Sequence, residues 1–237
     1  MGNLPRFMPQ PLNRISPAAT ACPVQWGDSA FEKNPHFAAS IVRVIAVWST
    51  IDRNLALLIT NFMTTDIELV SAILRDMKRE MTNSAIDALA KIRLTPEHHL
   101  LFSASLSTTK SSRNRRDEFA HHIWGISDAV QDALVLADPR DLSRELAHIL
   151  GPVQRGGGSG TLHQPLWDPS KYFVYKEADF KSSLAEAKRA EDIVNKLSQL
   201  SRINPPFFHQ GRFDSICAEL KADPLIGPLL QRKSSQK

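Results

Sequence analysis

Phe37, Ile41, Val44, Trp48, Ile51, Leu55, Leu58 and Phe62 recur at alternating steps of four and three. That spacing paints one apolar stripe down a helix of about seven turns, and a helix so patterned must bury the stripe against other elements. Arg43 breaks the most apolar run, Phe37 to Trp48, and no stretch approaches the roughly 20 apolar residues a membrane span needs. The helix is therefore expected inside a protein core, with Trp48 as a core residue and no membrane partner. Asp52, Arg53 and Asn54 interrupt the stripe near its middle. A carboxylate there is unfavourable unless paired. Its partner is one of the arginines of the segment 113–116 across the bundle, the neighbouring Arg53, or solvent.

Further helices follow the first. Thr65-Asp66-Ile67-Glu68 has the form of a capping box and predicts a helix start, with Ile67, Val70, Ile73, Leu74 and Met77 facing inward. Another helix reads from about Asn83 to Leu94, with Ile86, Leu89, Ala90 and Ile92. Thr95-Pro96-Glu97 places an N-cap, a first-turn proline and a first-turn acid in sequence, so a helix runs on toward Leu106. Ser107 to Ser112 reads as a kink or short loop, and a further helix carries Arg113 to Ile126. Ala133-Leu134-Val135-Leu136 before Asp138-Pro139 is a short strand or a helix end, and Leu142–Leu150 a short helix. Tyr172-Phe173-Val174-Tyr175 is a short strand. Asp179 to Ile203 forms a long amphipathic helix stopped by Pro205-Pro206, and Phe213–Leu220 a last short helix.

The predicted fold class is mainly α. Residues 1–35, rich in Pro, Asn and Ser, form an irregular N-terminal arm; residues 36–150 form a helical bundle. Residues 151–237 are a short mixed α/β C-terminal extension with a linker, a short strand and the long helix. Gly156-Gly157-Gly158-Ser159-Gly160 is the linker, since no Lys-Ser/Thr follows to make a phosphate cradle.

Two cysteines, Cys22 and Cys217, make neither a disulfide framework nor a cysteine-based zinc site. With no signal-peptide core at the N-terminus, a cytoplasmic location follows by elimination. A net charge of +4 is permissive for nucleic acid without forming the clustered stripe of a dedicated DNA binder.

The chemistry is concentrated in Arg113-Asn114-Arg115-Arg116-Asp117-Glu118-Phe119-Ala120-His121-His122. At roughly 100° per residue, Asp117 and His121 share a helix face one turn apart, so the carboxylate can hydrogen-bond the imidazole and fix its tautomer. Arg113 is four residues from Asp117 and a second neighbour for it. Arg116 lies farther round the helix and reaches the same cleft only if the helix packs against another surface. A cation, an orienting group and a titratable base in one place are the parts that handle a phosphodiester. The adjacent pairs His98-His99 and His121-His122 each point in two directions, so neither gives the spacing of a helical metal site. No metal and no cofactor are expected.

Arg116-Asp117-Glu118-Phe119-Ala120-His121, with Trp124-Gly125 just after it, resembles the Arg-polar-x-x-x-His signature of the HEPN superfamily. The resemblance covers roughly residues 37–150 and implies a HEPN-like helical bundle. It further implies a metal-independent endoribonuclease that uses the ribose 2′-hydroxyl as nucleophile and leaves a 2′,3′-cyclic phosphate. Implied catalytic residues are His121 as general acid/base, Arg116 on the scissile phosphate and Asp117 as orienter. Arg113, Arg115 and His122 would help bind substrate. RNA as substrate, a homodimer that joins two motif helices, and an antitoxin protein in a toxin–antitoxin or phage-defence setting are the implied partners. Position 117 is Asp where Asn is more frequent, and His122 stands where Gly is common. Two other readings remain: a helix face laced with ion pairs that supports the bundle, and a non-catalytic RNA- or nucleotide-binding module. A third role, as a helical interaction protein, would use the long helix from Asp179 as its working surface.

Overall fold

The structure, a computed structural model, describes residues 9–15, 24–76, 79–154, 168–202 and 209–234. In chain order the first elements are β1 (Gln10–Pro11), α1 (Leu12–Ile15), β2 (Val24–Trp26), α2 (Ser29–Lys33) and α3 (Pro35–Met63). Next come α4 (Ile67–Asp76), α5 (Arg79–Arg93), α6 (Pro96–Ser107), α7 (Lys110–His121), β3 (Ile123–Ser127) and β4 (Val130–Ala137). The last are α8 (Pro139–Gln154), β5 (Phe173–Lys176), α9 (Glu177–Leu200), α10 (Gln210–Ala222) and α11 (Ile226–Ser234). The protein is thus mainly helical with a small antiparallel sheet. No helix among the described residues is long and apolar enough to cross a membrane. The glycine-rich connector Gly156–Gly160, Cys22, Met77 and Pro205-Pro206 lie outside the described residues.

All eight residues of the first apolar stripe are buried along α3, as their period requires. The chain divides into two compact units, one from residues 1–45 and 115–185, the other from residues 46–114 and 186–237.

The first unit is built on a five-stranded antiparallel sheet of order β1-β5-β4-β3-β2. Ala133 to Ala137 of β4 are all buried, so this central strand is covered on both faces. On one face Leu12, Val130, Ala133, Val135, Ala137, Tyr172 and Val174 form an apolar cluster, closed by Val24 and Trp26. On the other, Phe119, Trp124, Tyr175 and Phe180 meet with ring centroids 5.4–5.8 Å apart, and Phe180 stacks on Phe37 at 4.9 Å.

The second unit is helical. Its core joins Trp48, Ile51, Leu58 and Phe62 of α3, Ile86 and Ala90 of α5, Phe102 of α6 and Val194 and Leu197 of α9. Phe62 and Phe102 meet edge to face at 5.6 Å. Thr95 caps α6 as its sequence predicts, accepting a hydrogen bond from the His98 amide. Phe180, Ala187, Ala190, Ile193, Val194, Leu197 and Leu200 of α9 are all buried. That helix therefore offers no exposed apolar stripe as a working surface.

Several expectations are corrected. Residues 1–35 are not an irregular arm throughout: they supply both edge strands, β1 and β2, and two short helices. The sheet accordingly is not confined to the C-terminal extension. The motif helix ends at His121 rather than Ile126, because Ile123 to Ser127 instead pairs with β4 on one side and β2 on the other. Asp66, not Thr65, caps α4; its Oδ1 accepts from the Glu68 amide at 2.7 Å. Ile73, expected inward, is exposed at 47%. The polar stretch 107–112 shrinks to a two-residue kink, where the Thr108 and Thr109 hydroxyls bond back to the carbonyls of Ser105 and Leu106.

Gly125 explains why a glycine follows Trp124. A Cβ there would lie 2.6 Å from side-chain atoms of Val24 and Trp26 and 2.8 Å from the Gln25 carbonyl oxygen, so only glycine lets β2 pair this closely. Gly125→Ala should lower stability by about 1–3 kcal/mol, the usual cost of overpacking, read as a lower urea midpoint with an unchanged far-UV CD spectrum. An unchanged midpoint would show that β2 contributes nothing to stability.

Candidate functional site

Nearly every chemically loaded side chain of the sequence motif lies on α7, whose twelve residues run from Lys110 to His121. The unit boundary falls between Asn114 and Arg115, and the residues on its two sides are taken separately.

In the first unit, Phe119 is buried in the aromatic cluster and fixes which way this half of α7 faces. Arg115 is taken up within the fold. Its Nη1 donates to Glu118 Oε2 at 2.9 Å and to the Tyr175 hydroxyl, and its guanidinium lies 5.5 Å over the Tyr175 ring. The Tyr175 hydroxyl also donates to Glu118 at 3.1 Å. Burial, assisted by the nearby Glu118 charge and opposed by Arg115, pushes the Tyr175 phenol well above its ordinary range, so it is a neutral donor here.

Arg116 is half-buried, its side chain 15% exposed. Nη1 donates to Asp117 Oδ1 at 2.9 Å, while Nε is buried without an acceptor among the described residues. Buried donors are ordinarily satisfied, so this one marks an unusual position. Asp117 is more open, at 36%.

His121, the last residue of α7, is exposed, and its side chain makes no hydrogen bond or ion pair with the described residues. The expected bond from Asp117 to His121 is not formed. Sharing a helix face brings two side chains within reach, but Arg116, next to Asp117, has captured the carboxylate. It is His122 that has a carboxylate nearby, with Nε2 3.8 Å from Asp138 Oδ2. Sequence reasoning did not single out Asp138. Its signal was the Asp138-Pro139 helix start: Oδ1 accepts the Arg140 amide at 2.8 Å, and the Arg140 guanidinium holds both carboxylate oxygens. The Arg140 side chain and then its amide hold the Asp138 carboxyl well below the usual carboxylate range.

In the second unit, Arg113 points into the helical core. Its guanidinium lies 5.5 Å over the buried Trp48 ring, donates to Asn83 Oδ1 at 3.1 Å and stands 3.8 Å from Asp52. Of the three partners open to Asp52 in the sequence, the structure supplies the motif arginine. Trp48 in turn donates its indole N–H to Ser112 Oγ at 3.1 Å.

Within the described residues, no group of three or more His, Cys, Asp or Glu side chains is placed to hold a metal ion. No protein-family model matches the chain, and no curated protein or solved structure matches it either.

Asp138 gives a pH prediction with a definite sign. A carboxyl group whose folded pKa is depressed stabilises the fold above the unfolded value, near 4, and this contribution disappears as pH falls below it. Asp138→Asn, which keeps a capping oxygen but no charge, should lose about 1 kcal/mol at neutral pH. It should also flatten the acid limb of stability against pH between about 5 and 2, measured by urea unfolding at each pH. Parallel wild-type and variant acid limbs would show that the Arg140 pair carries no net stability.

Proposed function

We propose that the protein is a HEPN-type, metal-independent endoribonuclease that works as a homodimer. The observation carrying this reading is the pairing, on one helix, of a half-buried Arg116 with an exposed His121 lacking any partner within the described residues. The arginine is held in place by its surroundings, while the imidazole is open to a substrate or a second chain.

In the reaction, a base removes the proton from a ribose 2′-hydroxyl. The 2′-oxygen attacks the adjacent phosphorus, and the bond from phosphorus to the 5′-oxygen breaks. An acid protonates that departing oxygen, leaving a 2′,3′-cyclic phosphate and a 5′-hydroxyl. Two copies of His121 brought together by the dimer supply the base and the acid. Arg116 stabilises the added negative charge on the phosphoryl oxygens. Asp117 acts by positioning Arg116, which it holds at 2.9 Å, rather than by orienting His121. RNA is the substrate, and a toxin–antitoxin or phage-defence system, with an antitoxin protein as inhibitor, is the setting in which such an activity would need control.

The Arg116–Asp117 pair also favours a second reading, a non-catalytic RNA-binding module, because a carboxylate beside the arginine subtracts positive charge where a phosphate would sit. Incubation of the protein with RNA in EDTA separates the two. Cleavage ending in cyclic phosphate and abolished by His121→Ala and by Arg116→Ala is expected; binding that weakens steeply with salt and yields no product supports the binding module. Cleavage that survives both substitutions would overturn the site assignment. Asp117→Asn should raise kcat/KM about fivefold by removing the opposing charge.

A further inference from the structure

A cleft of ≈ 380 Å³ opens in the helical unit, and Asp52, Arg53, Leu55, Ala56, Ile67, Ser71, Leu74, Arg75, Thr82 and Arg113 line it. Four apolar residues form one wall and six polar or charged residues make up the rest. Leu55, Ala56, Ile67 and Leu74 supply the wall, the Ser71 and Thr82 hydroxyls can donate or accept, and the rest is charge.

The charges are unequally committed. Arg113 is 14% exposed and fixed by Trp48, Asn83 and Asp52. Asp52 balances that buried guanidinium, which makes the pair part of the wall. Arg53 and Arg75 are exposed and have no ion-pair partner among the described residues. Among the described lining residues, three guanidiniums stand against one carboxylate, which leaves a net of two positive charges around the cleft. A phosphate monoester is a dianion near neutral pH, and planar guanidinium forks match its oxygens. A phosphodiester inside an RNA chain carries a single charge, so it balances two guanidiniums less well than a monoester dianion does.

From this geometry we infer that the cleft binds a small phosphate monoester carrying a compact organic body, with the phosphate on Arg53 and Arg75 and the body against Leu55, Ala56, Ile67 and Leu74. Asp52, Ser71 and Thr82 take hydrogen bonds from hydroxyl or amino groups of that body. The inference stands independently of the ribonuclease reading, because it uses neither Arg116 nor His121.

Calorimetric titration of the full chain with adenosine 5′-monophosphate, inorganic phosphate, adenosine and an oligoribonucleotide without terminal phosphates tests it. The monophosphate should bind more tightly than inorganic phosphate, and adenosine should give no measurable heat. Arg53→Gln and Arg75→Gln should each weaken monophosphate binding by about tenfold, the loss of one charge-assisted contact. Arg43→Gln, an exposed arginine outside the cleft, should leave it unchanged. Because both cleft arginines are exposed, the variants should keep the wild-type unfolding midpoint. No binding of either phosphate probe, equal binding by the cleft variants, or an oligoribonucleotide binding through Arg75 as tightly as the monophosphate would each overturn the inference.

Discussion

The ring of Phe119 lies 5.4 Å from Trp124, 5.5 Å from Tyr175 and 5.7 Å from Phe180, and Phe180 in turn stacks on Phe37. These five residues belong to α3, α7, β3, β5 and α9. Each aromatic contact adds about 0.5–1.5 kcal/mol beyond the burial of its area, and the pairs share partners, so none can shift alone. With Phe119 held there, the rotation of this half of α7 is set. Glu118 then falls beside the Tyr175 hydroxyl, Arg115 closes over both, and Arg116 is left half-buried next to Asp117.

Helix geometry separates three arginines that look equivalent in the chain. Residues 113, 115 and 116 point in different directions round a helix that turns about 100° per residue. Arg113 enters the helical core over Trp48, Arg115 becomes a clasp on Tyr175, and Arg116 pairs with Asp117 while its Nε meets no acceptor among the described residues. A basic motif is therefore partly structural: two of its cations hold the fold, and the reaction proposed here rests on the third. Both uses exploit one property of arginine, a planar charge that stacks on aromatic faces and forks onto oxygen.

Much of the helical architecture was legible from residue order. The stripe from Phe37 to Phe62 reads directly because its period is long and sustained, and Thr95-Pro96 marks a helix start because capping is a local bond. Local rules failed where a neighbour distant in sequence had the deciding contact. Ile123 to Ser127 would continue α7 on periodicity alone, yet they meet β4 and β2 and become a strand. The edge strands of two and three residues carry too little pattern to be read without their partners. At the site, spacing could not tell that Arg113 would enter the helical core, that Asp117 would turn to Arg116 or that Asp138 would stand near His122.

The sequence by itself determined the helical class, the extent of the long first helix and the start of α6, since periodicity and caps are properties of nearby residues. Tertiary structure alone decided how the strands pair, the edge strands β1 and β2, the partners of each charged side chain and the cleft at Asp52. The physical reason is range: backbone propensity and capping act within a few residues, whereas strand pairing, ring packing and ion-pair choice depend on which distant atoms arrive first at contact distance.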